Sequence, residues 1–296
     1  MSGSNHGRFE REWAVATAAA REAGAAIRDL YERAAAATYA KADGSAVTDA
    51  DLAADRIIRE ALTTAFPEDA ILTEEGADDT ERVANPRCWI VDPIDGTNQF
   101  IERTGEFEVL IALVEDGQPV VAAVYQPTTD LLLTAVRGAG AWLERGGQRE
   151  RLRLPAAPAD RAPRLMTSVW MGAPANLPIL EQVAGRLGGN GVTVSPLGVT
   201  VRRFLPPDPK TDALIGFNDR PGVVIAWEWD FAASELIMCE AGGAASDLWG
   251  RPHRYNKPVP RNCGGILLSV DPATHERVLR ALAPELPAPP PDDCSA

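Results

Sequence analysis

The chain is poor in the residues on which several kinds of site depend. Its four cysteines, Cys88, Cys239, Cys263 and Cys294, are scattered without CxxC or zinc-like spacing, so they read as free thiols in a reducing compartment. Its three histidines, His6, His253 and His275, stand far apart and support neither a histidine metal cluster nor a Ser–His dyad. No apolar run approaches the ~20 residues of a membrane helix. The start, MSGSNHGRFERE, is polar and lacks the apolar region of a signal peptide. Basic residues number 29 against 42 acidic ones, and the net charge of −13 argues against a binder of nucleic-acid polymers or anionic membranes. Internal repeats are absent as well. Against these shortages stand 45% hydrophobic and 24% charged residues, a globular composition, and 296 residues give room for a sizeable core. A cytoplasmic location is expected.

Residues 1–8 read as a polar, loose start. From Phe9 to about Ala36 the sequence is alanine-rich, with Trp13, Ala16, Ala20, Ile27, Leu30 and Tyr31 at helical spacing. After a turn at 41–45, Thr48 can cap a second helix with the apolar face Leu52, Ile58, Ala61, Leu62 and Ala65, ended by Pro67. Short strands at 70–73, 88–92, 109–115, 120–125 and 131–136, with turn signals at 116–117 and 127–130, read as an antiparallel meander. The proline-bearing stretch 149–164 is the expected boundary. It separates an N-terminal α+β half, 9–150, from a C-terminal α/β half, 164–283. That second half alternates strands at 164–167, 192–194, 212–216 and 266–269 with helices at 177–187, 199–204 and 231–241. A last helix, capped by Asp271, runs to about Leu282, and the proline-rich tail 284–296 reads as disordered.

The informative segment is Trp89-Ile90-Val91-Asp92-Pro93-Ile94-Asp95-Gly96-Thr97-Asn98. An apolar run delivers Asp92 and Asp95 into a Pro/Gly turn before a new element begins. Carboxylate oxygens at a sheet edge can hold hard divalent cations. Pro93 stiffens the turn, Gly96 lets the backbone come close to a ligand, and amides opening the next helix can bind an anion. Acids for metal beside donors for phosphate point to metal-assisted phosphoryl transfer to water. A bare DxxDG is equally an ordinary turn, so two other segments bear on the choice. Thr73-Glu74-Glu75-Gly76 follows its own short strand, and Trp229-Asp230-Phe231-Ala232-Ala233 opens a late helix that ends Glu240-Ala241-Gly242-Gly243. In isolation Glu74 would be a solvated loop acid and Asp230 a helix N-cap.

Together the WIVDPIDGTNQF and WDFAASELIMCEAGG stretches, in that order behind the TEEG acid, resemble the inositol monophosphatase superfamily of magnesium-dependent, lithium-sensitive phosphatases. The resemblance covers about residues 10–282. It implies an α/β layered fold, the αβαβα five-layer sandwich of the inositol monophosphatase and fructose-1,6-bisphosphatase type. It also implies about two to three Mg²⁺ per site. Glu74, Asp92 and the Ile94 carbonyl would hold the first ion, and Asp92, Asp95 and Asp230 the second, with Glu74 touching a weaker third through water. The Gly96 and Thr97 amides would cradle the phosphate. The Thr97 hydroxyl, paired with Asp51 of the second helix, would orient the attacking water. Asp51 by itself is also readable as a first-turn acid favoured by the helix dipole. The residues before it, Lys41-Ala42-Asp43-Gly44-Ser45-Ala46-Val47-Thr48, look like the family's KAD-x-S-x-VT stretch, and Lys41 is carried with them as a substrate contact.

Phe100-Ile101-Glu102-Arg103-Thr104-Gly105-Glu106-Phe107, before an apolar strand, resembles the bacterial 3′-phosphoadenosine-5′-phosphate phosphatases. A nucleotide of that kind is the expected substrate, with an inositol phosphate or other sugar or cyclitol phosphate as the alternative. The substrate side departs from the family elsewhere. Its Ser-Arg-Ser/Thr-His strand stands here as Thr167-Ser168-Val169-Trp170, and its Gly-Ser-x-x-x-Lys stretch as Gly198-Val199-Thr200-Val201-Arg202. Arg202 offers a planar fork of donors for a phosphate, or is an exposed helix arginine. Trp227 and Glu228, just before Asp230, are candidate contacts to the leaving group, Trp227 being also readable as core. Cys88, beside Trp89, reads as core packing. Two rival classes remain. Haloacid-dehalogenase phosphatases use Asp-x-Asp, whereas two residues separate Asp92 from Asp95 here. A metal-binding relative without turnover is the other, although the matched positions keep competent side chains. The partner expected is a small phosphate ester; a homodimer is left open.

Overall fold

The alanine-rich opening folds as α1 (Glu10–Arg33), with Ala16, Ala19, Ala20, Ala23 and Ile27 turned inward. It stops before the expected Ala36 because Ala34 takes the left-handed conformation, its amide bonded to the carbonyls of Leu30 and Tyr31. A two-stranded ribbon, β1 (Thr38–Ala40) and β2 (Ala46–Thr48), leads into α2 (Asp49–Ala65). Thr48 caps this helix: its hydroxyl accepts from Ala50 N while the Asp51 carboxylate accepts from Thr48 N, a capping box with Asp in the usual Glu position. The computed structural model describes residues 7–40, 46–171, 176–207, 209–217, 225–262 and 264–290. Lys41 and the turn 41–45 lie outside these residues, as do His6, Cys263 and Cys294. The chain divides into two units, Met1–Leu152 and Arg153–Ala296.

In the first unit seven strands lie side by side in chain order. They are β3 (Ala70–Thr73), β4 (Arg87–Asp95), β5 (Glu108–Glu115), β6 (Gln118–Gln126), β7 (Leu131–Val136), β8 (Gly140–Arg145) and β9 (Gln148–Leu152), and a short helix α3 (Thr97–Ile101) joins β4 to β5. From β4 onward every pair is antiparallel, as the turn signals predict. The meander is corrected at both ends. β3 and β4 are parallel, because residues 74–86 carry the chain back along the sheet through a 3₁₀ turn at Thr80–Ala84. At the other end the strands continue through Leu152, into the stretch read as a boundary. Its charges form an exposed sheet edge, where the Arg149 guanidinium lies 4.5 Å from the Trp13 ring and 4.7 Å from that of Trp142. The small side chains of α1 and the apolar face of α2 cover the sheet. Ile58, Leu62, Trp89, Val91, Ile111 and Val121 belong to this one core, and Cys88 is fully buried beside it.

The second unit is a mixed five-stranded sheet of β10 (Leu165–Ser168), β11 (Val192–Ser195), β12 (Ala213–Gly216), β14 (Ala244–Ser246) and β16 (Ile266–Ser269), ordered β11-β10-β12-β16-β14. Helices α4 (Leu177–Arg186) and α6 (Pro272–Leu282) share a core with it through Leu180, Val183, Ile215, Leu267, Val278 and Leu282. Asp271 caps α6 as expected. The expected helix at 199–204 is a 3₁₀ turn, Val201–Phe204. A small ribbon pairs β13 (Ala226–Trp227) with β15 (Arg261–Asn262) and leads into α5 (Glu228–Glu240), which starts three residues before the expected Phe231. The tail is not loose as far as Pro290: Trp249 Nε1 donates to Pro287 O (3.1 Å) and Arg251 Nη1 to Pro290 O (3.1 Å). Residues 291–296 lie outside the described residues. No described helix is long and apolar enough to cross a membrane.

Candidate active site

The parallel pairing of β3 with β4 brings two sequence-distant acids to one sheet end. Thr73 lies opposite Val91, so Glu74 leaves β3 where Asp92 continues β4, and the Glu74 amide donates to Val91 O at 3.2 Å. Asp92 is 2% exposed, and its Oδ1 accepts from the Ile94 amide at 2.9 Å across Pro93. In a regular strand two residues three apart face opposite sides. The register of β4 against β5 shifts between Asp92, opposite Leu110, and Asp95, opposite Glu108, so a bulge frees the pair from that alternation. Pro93, which has no amide to donate, sits where the ladder is already broken.

Gly96 then turns the chain at φ +100°, where a side chain is strained, and a Cβ there would stand 3.0 Å from Glu106 O. Thr97 follows as the first residue of α3. Its hydroxyl donates to Asp51 Oδ1 at 2.9 Å and lies 3.3 Å from Ile94 O. The other Asp51 oxygen receives both the hydroxyl (2.6 Å) and the amide (2.8 Å) of Thr48. Burial pushes the fully enclosed Asp51 carboxyl up, and the bonds from Thr48 and Thr97 oppose it. Asp51 is therefore both a cap of α2 and the partner of Thr97.

Asp230 occupies the first turn of α5 rather than the cap position, and its Oδ2 accepts from Trp227 N at 2.6 Å. Trp227 is not core: it is 37% exposed, with its ring stacked on Trp229 at 5.2 Å and 8°. Glu228 is corrected as a substrate contact. It is fully buried, and its carboxylate accepts from the amides of Asn256 (2.7 Å) and Lys257 (3.2 Å), with Lys257 Nζ at 3.6 Å. Arg202 is part-buried in the Val201–Phe204 turn. His275 does meet serines, Ser246 Oγ at 2.8 Å and Ser269 Oγ at 3.2 Å, but both are buried and the Ser246 hydroxyl donates to Asp247 O. That is packing, not a nucleophile.

Among the described residues no three His, Cys, Asp or Glu side chains are gathered as a ready metal cage. The strand ends instead supply hard oxygen donors, the carboxylates of Glu74, Asp92 and Asp95 and the carbonyl of Ile94, a set whose chemistry suits Mg²⁺ rather than a softer ion. Reasoning from sequence missed the role of Thr73, which ends β3 just before Glu74: its Oγ1 accepts from Gly76 N at 2.8 Å and closes the turn that carries this acid. The signal was available in a threonine three residues before a glycine, a side chain that bonds nearby backbone.

The mixed sheets and helices form a layered α/β fold, and the family and relatives this chain matches make it a hydrolase of phosphate esters, a phosphatase. The chain belongs to the inositol monophosphatase family, whose family model matches residues 10–285. It is 34% identical over 244 residues to the 3′(2′),5′-bisphosphate nucleotidase CysQ of Aggregatibacter actinomycetemcomitans, covering 80% of this chain and 85% of that one. It is 32% identical over 243 residues to the Nus factor SuhB of Escherichia coli K12, covering 81% and 86%. The crystal structure of CysQ from Bacteroides thetaiotaomicron superposes with a TM-score of 0.68 at 29% identity, over 88% of this chain and 97% of that one.

Proposed function

We propose that the chain is a cytoplasmic Mg²⁺-dependent phosphatase that removes one phosphate from a nucleoside 3′,5′-bisphosphate of the 3′-phosphoadenosine-5′-phosphate type. The observation that carries the reading is the Thr97–Asp51 hydrogen bond beside the β3 and β4 acids, in a chain similar to bisphosphate nucleotidases. Glu74, Asp92, Asp95 and the Ile94 carbonyl are the donors that would hold the metal, and the family resemblance gives Asp230, within its own unit, a metal-binding role as well. Bound there, Mg²⁺ supplies positive charge against the phosphoryl oxygens and acidity to a nearby water.

The chain's own part follows from the hydrogen bonds. Thr97 commits its proton to Asp51, so the free lone pairs of its oxygen can accept from a water and aim that water's oxygen at phosphorus. Asp51, buried and held on both oxygens, fixes the hydroxyl in that sense. The Gly96 and Thr97 amides precede the first helical bonds of α3 and can receive phosphoryl oxygens. The water oxygen bonds to phosphorus as the ester P–O bond breaks; the water releases one proton to solvent, keeping the other on the new phosphate, and the departing alkoxide takes up a proton from solvent. No side-chain nucleophile is needed. Arg202 and Trp227 are the candidates for the rest of the nucleotide, and an inositol or other sugar phosphate is the second reading, in keeping with the family.

The test is phosphate release from 3′-phosphoadenosine 5′-phosphate, inositol 1-phosphate, histidinol phosphate and hexose phosphates, with and without Mg²⁺. Release from the bisphosphate above all others, abolished by chelation, is expected. Preference for inositol 1-phosphate would replace the nucleotide reading. Release unaffected by chelation would remove the metal assignment.

A further inference from the structure

Helix α3 is five residues long, too short to hold itself in water, so the placing of Thr97 at its start depends on what packs behind it. The loop 102–107, which leads from α3 to β5, supplies that backing. At Gly96 the space a Cβ would take is bounded by Glu106 O at 3.0 Å and by Phe107 Cα and Gln99 Oε1 at 3.3 Å. The loop is anchored at three points. Phe107 is fully buried against the rings of Phe100 and Tyr31, at 5.3 and 5.0 Å between centroids. Arg103 Nη1 donates to Tyr31 O at 2.7 Å. Between them, one residue before Glu106, the Gly105 carbonyl receives two donors from the end of β6 and the turn that follows it, Thr128 Oγ1 at 2.7 Å and Gln126 Nε2 at 3.2 Å. Gln126 is 4% exposed, and its Oε1 accepts from Thr129 Oγ1 at 2.5 Å, so both ends of its buried amide are used.

Two donors on one carbonyl occupy both its lone pairs. A connection that only had to cross from α3 to β5 could leave this carbonyl to water, and an apolar side chain at 126 would be buried at lower cost than an amide. What the paired donors add is a fixed place for one peptide unit. The next carbonyl along, that of Glu106, is the one that bounds Gly96. We propose that Gln126 and Thr128 are positioning residues for the reaction: through Gly105 they hold the loop 102–107 against Gly96, and thereby keep the Thr97 hydroxyl on Asp51 and set toward the attacking water. One hairpin turn then limits how far the water-orienting pair can wander. The role rests on the phosphatase reading given above.

The test measures kcat and KM at saturating Mg²⁺ on the substrate of the panel above that wild type hydrolyses fastest, with melting temperature and amide hydrogen exchange alongside. The proteins are wild type, Thr128→Val, Thr128→Ser, Gln126→Leu, the double variant Thr128→Val/Gln126→Leu, and Thr128→Val in a Thr97→Ala background. A reacting group misplaced by about 1 Å can cost about 10²-fold in rate. kcat is expected to fall about 10-fold in Thr128→Val and about 10²-fold in the double variant. KM should change little, because the oriented water is no part of substrate binding. Thr128→Ser, which keeps the donor, should turn over as wild type does. Where Thr97 has lost its hydroxyl, Thr128→Val should add almost nothing. Exchange should quicken at the amides of Phe100 and Glu102, which bond back to Gly96 O and Asn98 O. Folded variants with the kcat or the exchange of wild type, or an equal loss with and without the Thr97 hydroxyl, would overturn the role, whatever their melting temperature. Should Gln126→Leu, at a buried site, fail to fold, the exposed Thr128 decides alone, valine against serine. A wild type that releases phosphate from none of the panel would overturn the phosphatase reading, a separate result. Exchange would then judge the hairpin's hold by itself, and unchanged protection of Phe100 and Glu102 in Thr128→Val would overturn it.

Discussion

Asp51 receives three hydrogen bonds on two oxygens, and only one of them, from Thr97, reaches toward the chemistry. If the two residues act as a unit on one water, Thr97→Ala and Asp51→Asn should each lower kcat by about 10²-fold or more. The double variant should then be scarcely worse than the poorer single one. Losses that multiply would reduce Asp51 to a capping acid. Asp92→Asn separates charge from shape at its own site, because the amide oxygen of Asn can still accept from Ile94 N. Activity should fall at least about 10²-fold while the melting temperature hardly moves; turnover near wild type at low Mg²⁺ would contradict the assignment. Glu228 belongs to a different account. Glu228→Ala removes the acceptor of the Asn256 and Lys257 amides and the carboxylate facing the Lys257 ammonium, which keeps its bond to Arg261 O, and should cost about 3 kcal/mol in urea unfolding. These residues also show what a sequence can disclose. The pairing of Thr97 with Asp51 was legible because the motifs around both residues name them. Glu228 was misread because one-dimensional adjacency to Asp230 says nothing about which side chain is buried.

At the scale of elements, the connection from β4 to α3 depends on one backbone conformation. Gly96→Ala meets both a positive φ and the Glu106 carbonyl, which as backbone cannot step aside. The strain is worth about 1–3 kcal/mol, and because Thr97 is the next residue, kcat should drop with the stability. A crystal structure of the variant with Thr97 still on Asp51 and unchanged kcat would contradict this. Most elements were readable from periodicity and caps: α2 from Thr48, α6 from Asp271, the meander from its turns. What escaped was pairing. That β3 runs parallel to β4 depends on the path of residues 74–86, which carry no strong period, and β9 was hidden because an edge strand with alternating charges resembles a loop. The packed tail was missed for a related reason. Proline-rich chain needs no internal hydrogen bonds, and only a partner such as Trp249 or Arg251 orders it.

On the scale of the whole molecule, acid sensitivity can be traced to particular rings. Burial, aided by the charge of His253, holds His275 at about 4, below the usual 6.5. The native ring stays neutral while the unfolded one takes up a proton. Stability from this group is therefore complete above pH ~6.5 and declines as pH falls toward ~4, by about 3 kcal/mol. Burial also works against charge on His253, but its contact with Glu235 prevails and raises that ring above its usual 6.5, so its contribution is kept in acid and fades as pH rises through the raised value. Urea unfolding at pH 7, 5.5 and 4.5 should show a shallower acid decline in His275→Gln than in wild type; identical slopes would remove His275 from the account. The strand orders have a kinetic consequence of another sort. From β4 to β9 each strand pairs with the next one synthesised, whereas β10 waits for β12, and β12 for β16, across about fifty residues each time. Short closures are fast and long ones slow. As the chain leaves the ribosome, the first sheet can zip up hairpin by hairpin while the second still lacks its middle strand. Pulsed hydrogen exchange during refolding should find the β4–β9 amides protected before those of β12 and β16.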